Sequence, residues 1–436
     1  MKVWNQPIAI LAIAALIGGN AGTVIAGVAE GIAAYDKGDY GKAVIEFKEA
    51  AHKADKTAQY RLGRLYYRGE GVKKDLKEAA AWYRKAADQG DAGAQTNLGV
   101  MYGNGDGVEK NASEAVAWYR KAADQKFAAA QSNLGLMYAK GEGVEKNARE
   151  AVAWFRKAAD QGNAEAQFSL GVMYVLGEGV EKNAREAVAW FRKAADQGNA
   201  EAQVKLGALY VLGEGVKKDH KEAVAWHRKA ADQGNAGAQF NLGVMYDNGA
   251  GVEKNASEAA AWYRKAAEQG DARAQAFLGR SYYHGIGVAR DKVLAYALFN
   301  SAASEGVEDS VQNRNVVEAE LSSQQLVEAQ SISSALREKG VLPKESRTWL
   351  EISERSSAAK EPMRHAIQPQ SAIKAVSGKP VYSAPSQPVT QRCPTNPATG
   401  FQMRSQQCSG YDVMGHLYMT CNPILKHPSP CNPTGR

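Results

Sequence analysis

The chain has 436 residues, 44% of them hydrophobic, and a formal net charge of +7 from 54 basic and 47 acidic side chains. The two signs are interleaved rather than gathered on one stripe, which argues against nucleic acid as a partner. All four cysteines fall after residue 390, so the body of the chain holds no thiol for catalysis, metal binding or crosslinking.

Residues 1–26 read as a secretory signal. Lys2 supplies the positive start, and Ile8 to Ile17 is an apolar run too short to span a bilayer alone. Small residues follow, with a cleavage site at Val24-Ile25-Ala26 or earlier at Gly19-Asn20-Ala21. The alternative is an uncleaved anchor running to Ala29, interrupted by Gly18, Gly19 and Asn20. No cysteine lies near this stretch, which disfavours a lipid anchor. The implied location is a bacterial envelope, periplasmic or secreted, with no stable membrane insertion after cleavage. Residues 27–54 resemble a lead-in helical hairpin, with Ala43, Phe47 and Ala50 at helical spacing behind Gly38-Asp39-Tyr40. It would cover the open face of the first full repeat.

From residue 55 to 306 the chain repeats itself every 36 residues. Leu-Gly recurs at Leu62-Gly63, Leu98-Gly99, Leu134-Gly135, Leu170-Gly171, Leu206-Gly207, Leu242-Gly243 and Leu278-Gly279. Tryptophan keeps step from Trp82 to Trp262, and Leu298 takes the seventh place. A fixed period of this length marks a solenoid, in which each unit buries its apolar face against its neighbours. The unit Asn163 to Gly198 shows how. Asn163 caps a first helix with the stripe Ala166, Leu170, Met173 and Tyr174, ended by a turn at Gly177-Glu178-Gly179. Asn183 with Glu186 has the spacing of a capping box and opens a second helix with the stripe Ala187, Trp190, Phe191 and Ala194. The arginines from Arg84 to Arg264 recur with an acid four residues later, a pattern that predicts a solvated face of i,i+4 pairs.

The pattern A-x-x-x-L-G-x-x-Y-x-x-G-x-G-V followed by A-x-x-W-[YF]-x-x-A-A-x-x-G resembles the Sel1-like repeat, a subclass of the tetratricopeptide superfamily. The resemblance implies an all-α, right-handed superhelical solenoid of seven hairpins that serves as a protein-interaction scaffold, usually without catalysis. Some secreted relatives are described as penicillin-binding or β-lactamase-like. Those carry a cysteine pair in each repeat, and this chain has none.

Beyond Gly306 the period is lost, but residues 307–339 predict two capping helices, Val311 to Leu321 and Ser323 to Lys339, with Val317, Leu326, Ala329 and Leu336 among their apolar positions. Residues 340–392 turn rich in proline, serine, lysine and glutamine and read as a flexible linker. Residues 393–436 hold Cys393, Cys408, Cys421 and Cys431, an even count that predicts two disulfides among three connectivities in an exported chain. With His416 and His427 nearby, zinc is the weaker alternative, since no Cys-x-x-Cys is present.

No catalytic, cofactor or metal site emerges. His227 stands where Tyr83, Tyr119, Phe155, Phe191 and Tyr263 stand in other units, so it reads as a packing residue. The Gly-x-Gly triplets are interhelical turns with no strand before them, not phosphate loops. Attention therefore falls on the first helices, whose face opposite Leu-Gly carries three positions at i, i+4 and i+7. Tyr60, Arg64 and Tyr67 fill them in the first unit. The outer positions turn apolar at Phe168, Val175, Val204 and Val211, with Phe240 following and Leu176 and Leu212 at the edge. These seven are the candidate strip for a protein partner, against the alternative that they pack between helices. The expectation is a non-catalytic scaffold or regulator. The competing readings are an envelope enzyme acting on peptidoglycan or β-lactams, and a wall- or carbohydrate-binding protein working through the cysteine tail.

Overall fold

The computed structural model describes residues 20–343. The apolar run of the expected signal, nearly all of the linker, and Cys393, Cys408, Cys421 and Cys431 lie outside the described residues. Among those described there are eighteen α-helices and no strand. A lead-in hairpin, α1 (Asn20–Asp36) and α2 (Tyr40–His52), precedes seven full hairpins. The first four are α3 (Lys56–Arg68) with α4 (Leu76–Asp88), α5 (Ala92–Asn104) with α6 (Ala112–Asp124), α7 (Ala128–Lys140) with α8 (Ala148–Asp160), and α9 (Ala164–Leu176) with α10 (Ala184–Asp196). The last three are α11 (Ala200–Leu212) with α12 (His220–Asp232), α13 (Ala236–Asn248) with α14 (Ala256–Glu268), and α15 (Ala272–His284) with α16 (Lys292–Ser304). Two capping helices follow, α17 (Glu308–Glu318) and α18 (Ser323–Lys339). The protein is an all-α solenoid. It divides into two compact units, Met1–Leu206 with Gly213–Lys217, and Gly207–Leu212 with Lys218–Arg436.

Each hairpin is built as its sequence dictates. The Asn163 side chain accepts from the Ala166 N–H at 2.8 Å, and Ala166 and Leu170 of α9 are fully buried. Gly177 ends the helix in the left-handed region at φ 72°, its N–H donating to the Met173 carbonyl. Gly179 follows at φ 70°, and a Cβ there would lie 2.2 Å from the Ala148 carbonyl oxygen of the preceding hairpin. Asn183 accepts from the N–H groups of Arg185 and Glu186 to start α10. The complete reciprocal capping box is formed at Ser322 and Gln325, at the start of α18. Inside the hairpin the Phe191 ring lies against Gly171, where a Cβ would meet it at 2.6 Å.

Polar ties join hairpin to hairpin. In the first unit, the Gln59 amide donates to the Ala51 carbonyl at the end of α2 and accepts from Gln89 at the end of α4, at 3.1 and 2.7 Å. The same clamp recurs at Gln95 and Gln125. The arginine ladder departs from expectation. Arg84, Arg120 and Arg156 donate to the hydroxyls of Tyr102, Tyr138 and Tyr174 on the next first helix, and Arg228 does the same to Tyr246 in the second unit. These four arginines tie hairpins together rather than pairing at i,i+4, although Arg120 and Arg156 stay exposed as expected. The i,i+4 pair does form at Arg264, 3.8 Å from Glu268, beside the bond from Arg264 to the Tyr282 hydroxyl. A phenol eighteen residues on, on the adjoining helix, holds the guanidinium by hydrogen bond and, for Arg84 and Arg228, by its ring face as well.

At the start of the first unit, Val28, Ile32 and Tyr35 of α1 pack onto the core of α2, and all three lie beyond Ala26. In the second unit, Val317, Ala329 and Leu336 of the capping helices are buried as expected. The chain then returns to α14, burying Leu342 and offering the Pro343 carbonyl to Arg264 at 3.1 Å.

One junction breaks the pattern. Among the seven full hairpins the second helix is followed by glycine at φ 83–92° in six, at Gly90, Gly162, Gly198, Gly234, Gly270 and Gly306, but by Lys126 at φ 65° after α6. After the lead-in hairpin the place is held by Ala54 at φ 68°. Lys126 is thus a non-glycine residue held in the left-handed region, and Phe127 behind it supplies no cap to α7. Lys126→Gly is expected to raise stability by about 1 kcal/mol, because the backbone geometry already suits glycine. Urea unfolding measures this, and an unchanged or lower midpoint would show that the strain is absent.

Candidate partner-binding surface

The second helices of the first six hairpins are close copies, α8 and α10 sharing the sequence AREAVAWFRKAAD, whereas α16 reads KVLAYALFNSAAS. The first helices carry the variation, and the seven predicted contact residues sit on them at different depths. In the first unit, Phe168, Val175 and Val204 are half-buried and Leu176 is 38% exposed. In the second, Leu212 is half-buried, whereas Val211 and Phe240 are only 6% and 8% exposed. The leading ring of the row packs on the aromatic residue of its own hairpin: Phe168 on Phe191 at 5.7 Å, Phe240 on Tyr263 at 5.9 Å. Phe240 is further covered from the next hairpin by the Phe277 ring at 5.4 Å and the Arg273 guanidinium at 4.5 Å. Phe240 and Val211 therefore serve packing, and Leu176 is the most accessible member of the row.

A cavity of about 330 Å³ opens at the head of the first unit. Tyr60, Arg64, Tyr67 and Arg68 of α3 form one side, and Asn97 and Val100 of α5 the other. Tyr60 packs on the buried Tyr83 of α4 at 5.9 Å, the arrangement seen at Phe168 and Phe240. The Arg64 guanidinium lies 6.0 Å from the Tyr60 ring centre and 5.8 Å from that of Tyr35 on α1. The Tyr67 hydroxyl donates to Asp106 at 3.3 Å. Burial, and then the Asp106 carboxylate, push the Tyr67 phenol up. At the other end of the array Tyr283 donates to Glu320, which Lys292 also holds at 2.8 Å. The Lys292 and Tyr283 bonds keep the Glu320 carboxyl below its usual range.

His227 faces Gly207 inside the second unit, 1% exposed, with Nδ1 unpartnered. It is a packing residue, and burial drives its pKa down to about 4. Among the described residues no three His, Cys, Asp or Glu side chains converge as a metal site. No described helix is long and apolar enough to cross a membrane.

Seven consecutive stretches match the model of the Sel1 repeat: 56–91, 92–127, 128–163, 164–199, 200–235, 236–271 and 272–307. The chain belongs to the Sel1 repeat family. Among solved structures, a Sel1 repeat protein from Oxalobacter formigenes is 37% identical over 56% of this chain and 96% of its own, with a TM-score of 0.52. A protective antigen of uropathogenic Escherichia coli strains with an SLR fold is 32% identical, covering 80% of this chain and 88% of its own at a TM-score of 0.37. An immunity protein from Pseudomonas aeruginosa is 25% identical over 49% and 81%, with a TM-score of 0.34. No curated protein matches the chain. Sel1 repeats commonly serve as protein-interaction scaffolds, and the match to this family extends that general role to the chain.

Two predictions follow from these depths. Phe240→Ser is expected to cost about 3 kcal/mol of stability, as removal of a buried ring does, while Leu176→Ser changes it by less than about 0.5 kcal/mol. Chemical denaturation of both variants checks the contrast, and equal effects would refute it. For His227, the folded pKa is depressed below the unfolded value of 6.5. The native state therefore holds it neutral, with full stability above pH 6.5, and loses stability as the pH falls toward 4. That loss amounts to roughly 3 kcal/mol if the group stays buried. His227→Phe should flatten this part of the profile relative to the parent; parallel profiles would show that His227 does not carry it.

Proposed function

We propose that this Sel1 repeat chain is an exported, non-catalytic interaction module that binds a protein of the bacterial envelope through the exposed face of its first helices. The observation that carries the reading is the division of labour within the repeats. In the first six hairpins the second helices are held nearly invariant around tryptophan, alanine and arginine, while the first helices differ from one hairpin to the next at their outer positions. Variation concentrated at the outer positions of the first helices is what a binding surface requires. Phe168, Val175, Leu176 and Val204 are the accessible apolar members in the first unit, and Leu212 in the second. Val211 and Phe240 support this surface from beneath. Lys2, the apolar run after it, and the four cysteines of the tail support export.

Affinity capture of the mature protein from its own cell envelope, read by mass spectrometry, tests the module. Leu176→Asp is expected to reduce capture of the principal partner by about tenfold or more while melting is unchanged, since one leucine buried on a partner contributes a few kcal/mol at most. Capture that survives Leu176→Asp together with Phe168→Ser would exclude this face. Export has its own check. Intact mass should place the mature start near Gly27, with native Cys393, Cys408, Cys421 and Cys431 refusing alkylation until reduced. Four freely alkylated thiols would sink the disulfide assignment.

A further inference from the structure

The cavity at the head of the first unit holds a charge that the repeat does not need. Position 64 corresponds to Val100, Leu136, Val172, Ala208 and Val244 in the following units, so an apolar side chain satisfies the scaffold there. Arginine returns once, at Arg280, where it is neutralised: the guanidinium meets the Asp247 carboxylate at 3.5 Å and lies over Phe277. Asp247 stands 33 residues before Arg280, and 33 residues before Arg64 stands Gly31, which has no side chain to offer. Arg64 rests instead between the rings of Tyr35 and Tyr60, and among the described residues it has neither an ion-pair partner nor a hydrogen-bond acceptor. The neighbouring carboxylates are engaged. Asp106 receives Tyr67 and Asn104, and Glu70 receives Tyr35 and Arg68.

An unpaired guanidinium held between two rings presents its fork to a planar anion. The remaining wall combines the Tyr60 and Tyr67 rings, Val100 and the Asn97 amide with a second guanidinium, Arg68, which is already paired with Glu70 at 3.5 Å. A volume of about 330 Å³ is at the small end for ligand sites and suits one or two residues rather than a long segment. We propose that this cavity is a subsite for a peptide carboxylate, with Arg64 receiving the carboxylate and the adjoining apolar side chain resting on Tyr60 and Val100. The proposal rests on the protein-interaction reading and specifies one chemical feature of the partner. A singly charged carboxylate matches the Arg64 guanidinium, whereas a phosphate near −2 would be left in excess beside the Asp106 and Glu70 carboxylates. The carboxylate belongs either to a chain terminus or to an aspartate or glutamate side chain.

Titration of the full-length chain with four short peptides tests this. The probes are Ac-Ala-Ala-Ala-Phe as the free acid, the same peptide as its C-terminal amide, Ac-Ala-Glu-Phe-Ala amide, and its phosphoserine-for-glutamate counterpart. At least one carboxylate peptide should bind about 10- to 100-fold more tightly than the uncharged amide, the range of a charge-assisted hydrogen-bonded pair. Preference for the free acid identifies a chain terminus, and preference for the glutamate peptide an acidic side chain. Arg64→Met, which places in the first unit the kind of apolar side chain the other units carry, should abolish the discrimination without lowering the melting temperature. Arg64→Lys should keep part of it. Four outcomes overturn the proposal: no binding by any peptide, equal binding of acid and amide, discrimination that persists in Arg64→Met, or tighter binding of the phosphoserine peptide. Each leaves partner capture by the whole chain as a separate result, so the subsite and the module fail independently.

Discussion

The array depends on one close approach. The second glycine of every interhelical turn, from Gly71 to Gly287, sits where a Cβ would come within 2.1–2.4 Å of a carbonyl oxygen in the first turn of the preceding hairpin's second helix. No side chain fits there, and each of these glycines also has φ of 69–76°. The turn of one hairpin is thereby seated on the helix start of the one before it, and the spacing between successive hairpins follows from backbone contact rather than from side-chain choice. Alanines at the helix contacts let the rest of each hairpin follow at the same distance. The invariant 36-residue period is the sequence image of that seat.

Polar groups at the junctions are arranged around it. A glutamine in each first helix would be a costly buried amide if left alone. Its donor reaches the end of the preceding second helix, and in hairpins such as the first its acceptor receives a second glutamine from its own hairpin. The arginine following the aromatic pair reaches the tyrosine of the next first helix in the same way. These ties add direction to an interface that apolar contact alone would leave free to slide.

Helix bounds, turn positions and the core stripes were legible in the residues, because a strict period places every Leu-Gly, tryptophan and cap at once. Of the two capping helices, the second has the expected bounds, Ser323–Lys339, whereas the first, expected from Val311 to Leu321, runs Glu308–Glu318. The arginine ties were not, because an acid four residues along a helix offers an obvious local partner, and a tyrosine eighteen residues away becomes a neighbour only once the hairpins stack. The depth of the candidate strip was hidden for a related reason. Phe168 and Phe240 occupy equivalent places with the same side chain, yet Phe240 is covered by Arg273 and Phe277, 33 and 37 residues on. The corresponding positions beyond Phe168 are Glu201 and Lys205. Exposure in a solenoid is decided by the next unit, so a row read within one helix position misses the residues that close over it.

The same logic separates two kinds of departure from the repeat. Lys126 and His227 stand where backbone geometry or packing leaves little choice, at a left-handed turn and against the Gly207 face, and each carries a cost in strain or desolvation. Arg64 and Leu176 stand where the scaffold imposes no such demand, one at a cavity wall and one on an exposed helix end. A departure at a constrained position alters the stability and pH response of the array without offering anything to a ligand. A departure at an unconstrained position costs the array little and changes what its surface can recognise. Specificity in this chain is therefore to be sought where the repeat tolerates change, and the paired Arg280 beside the unpaired Arg64 shows that residue type alone does not mark it: the difference lies in whether the preceding hairpin supplies an acid.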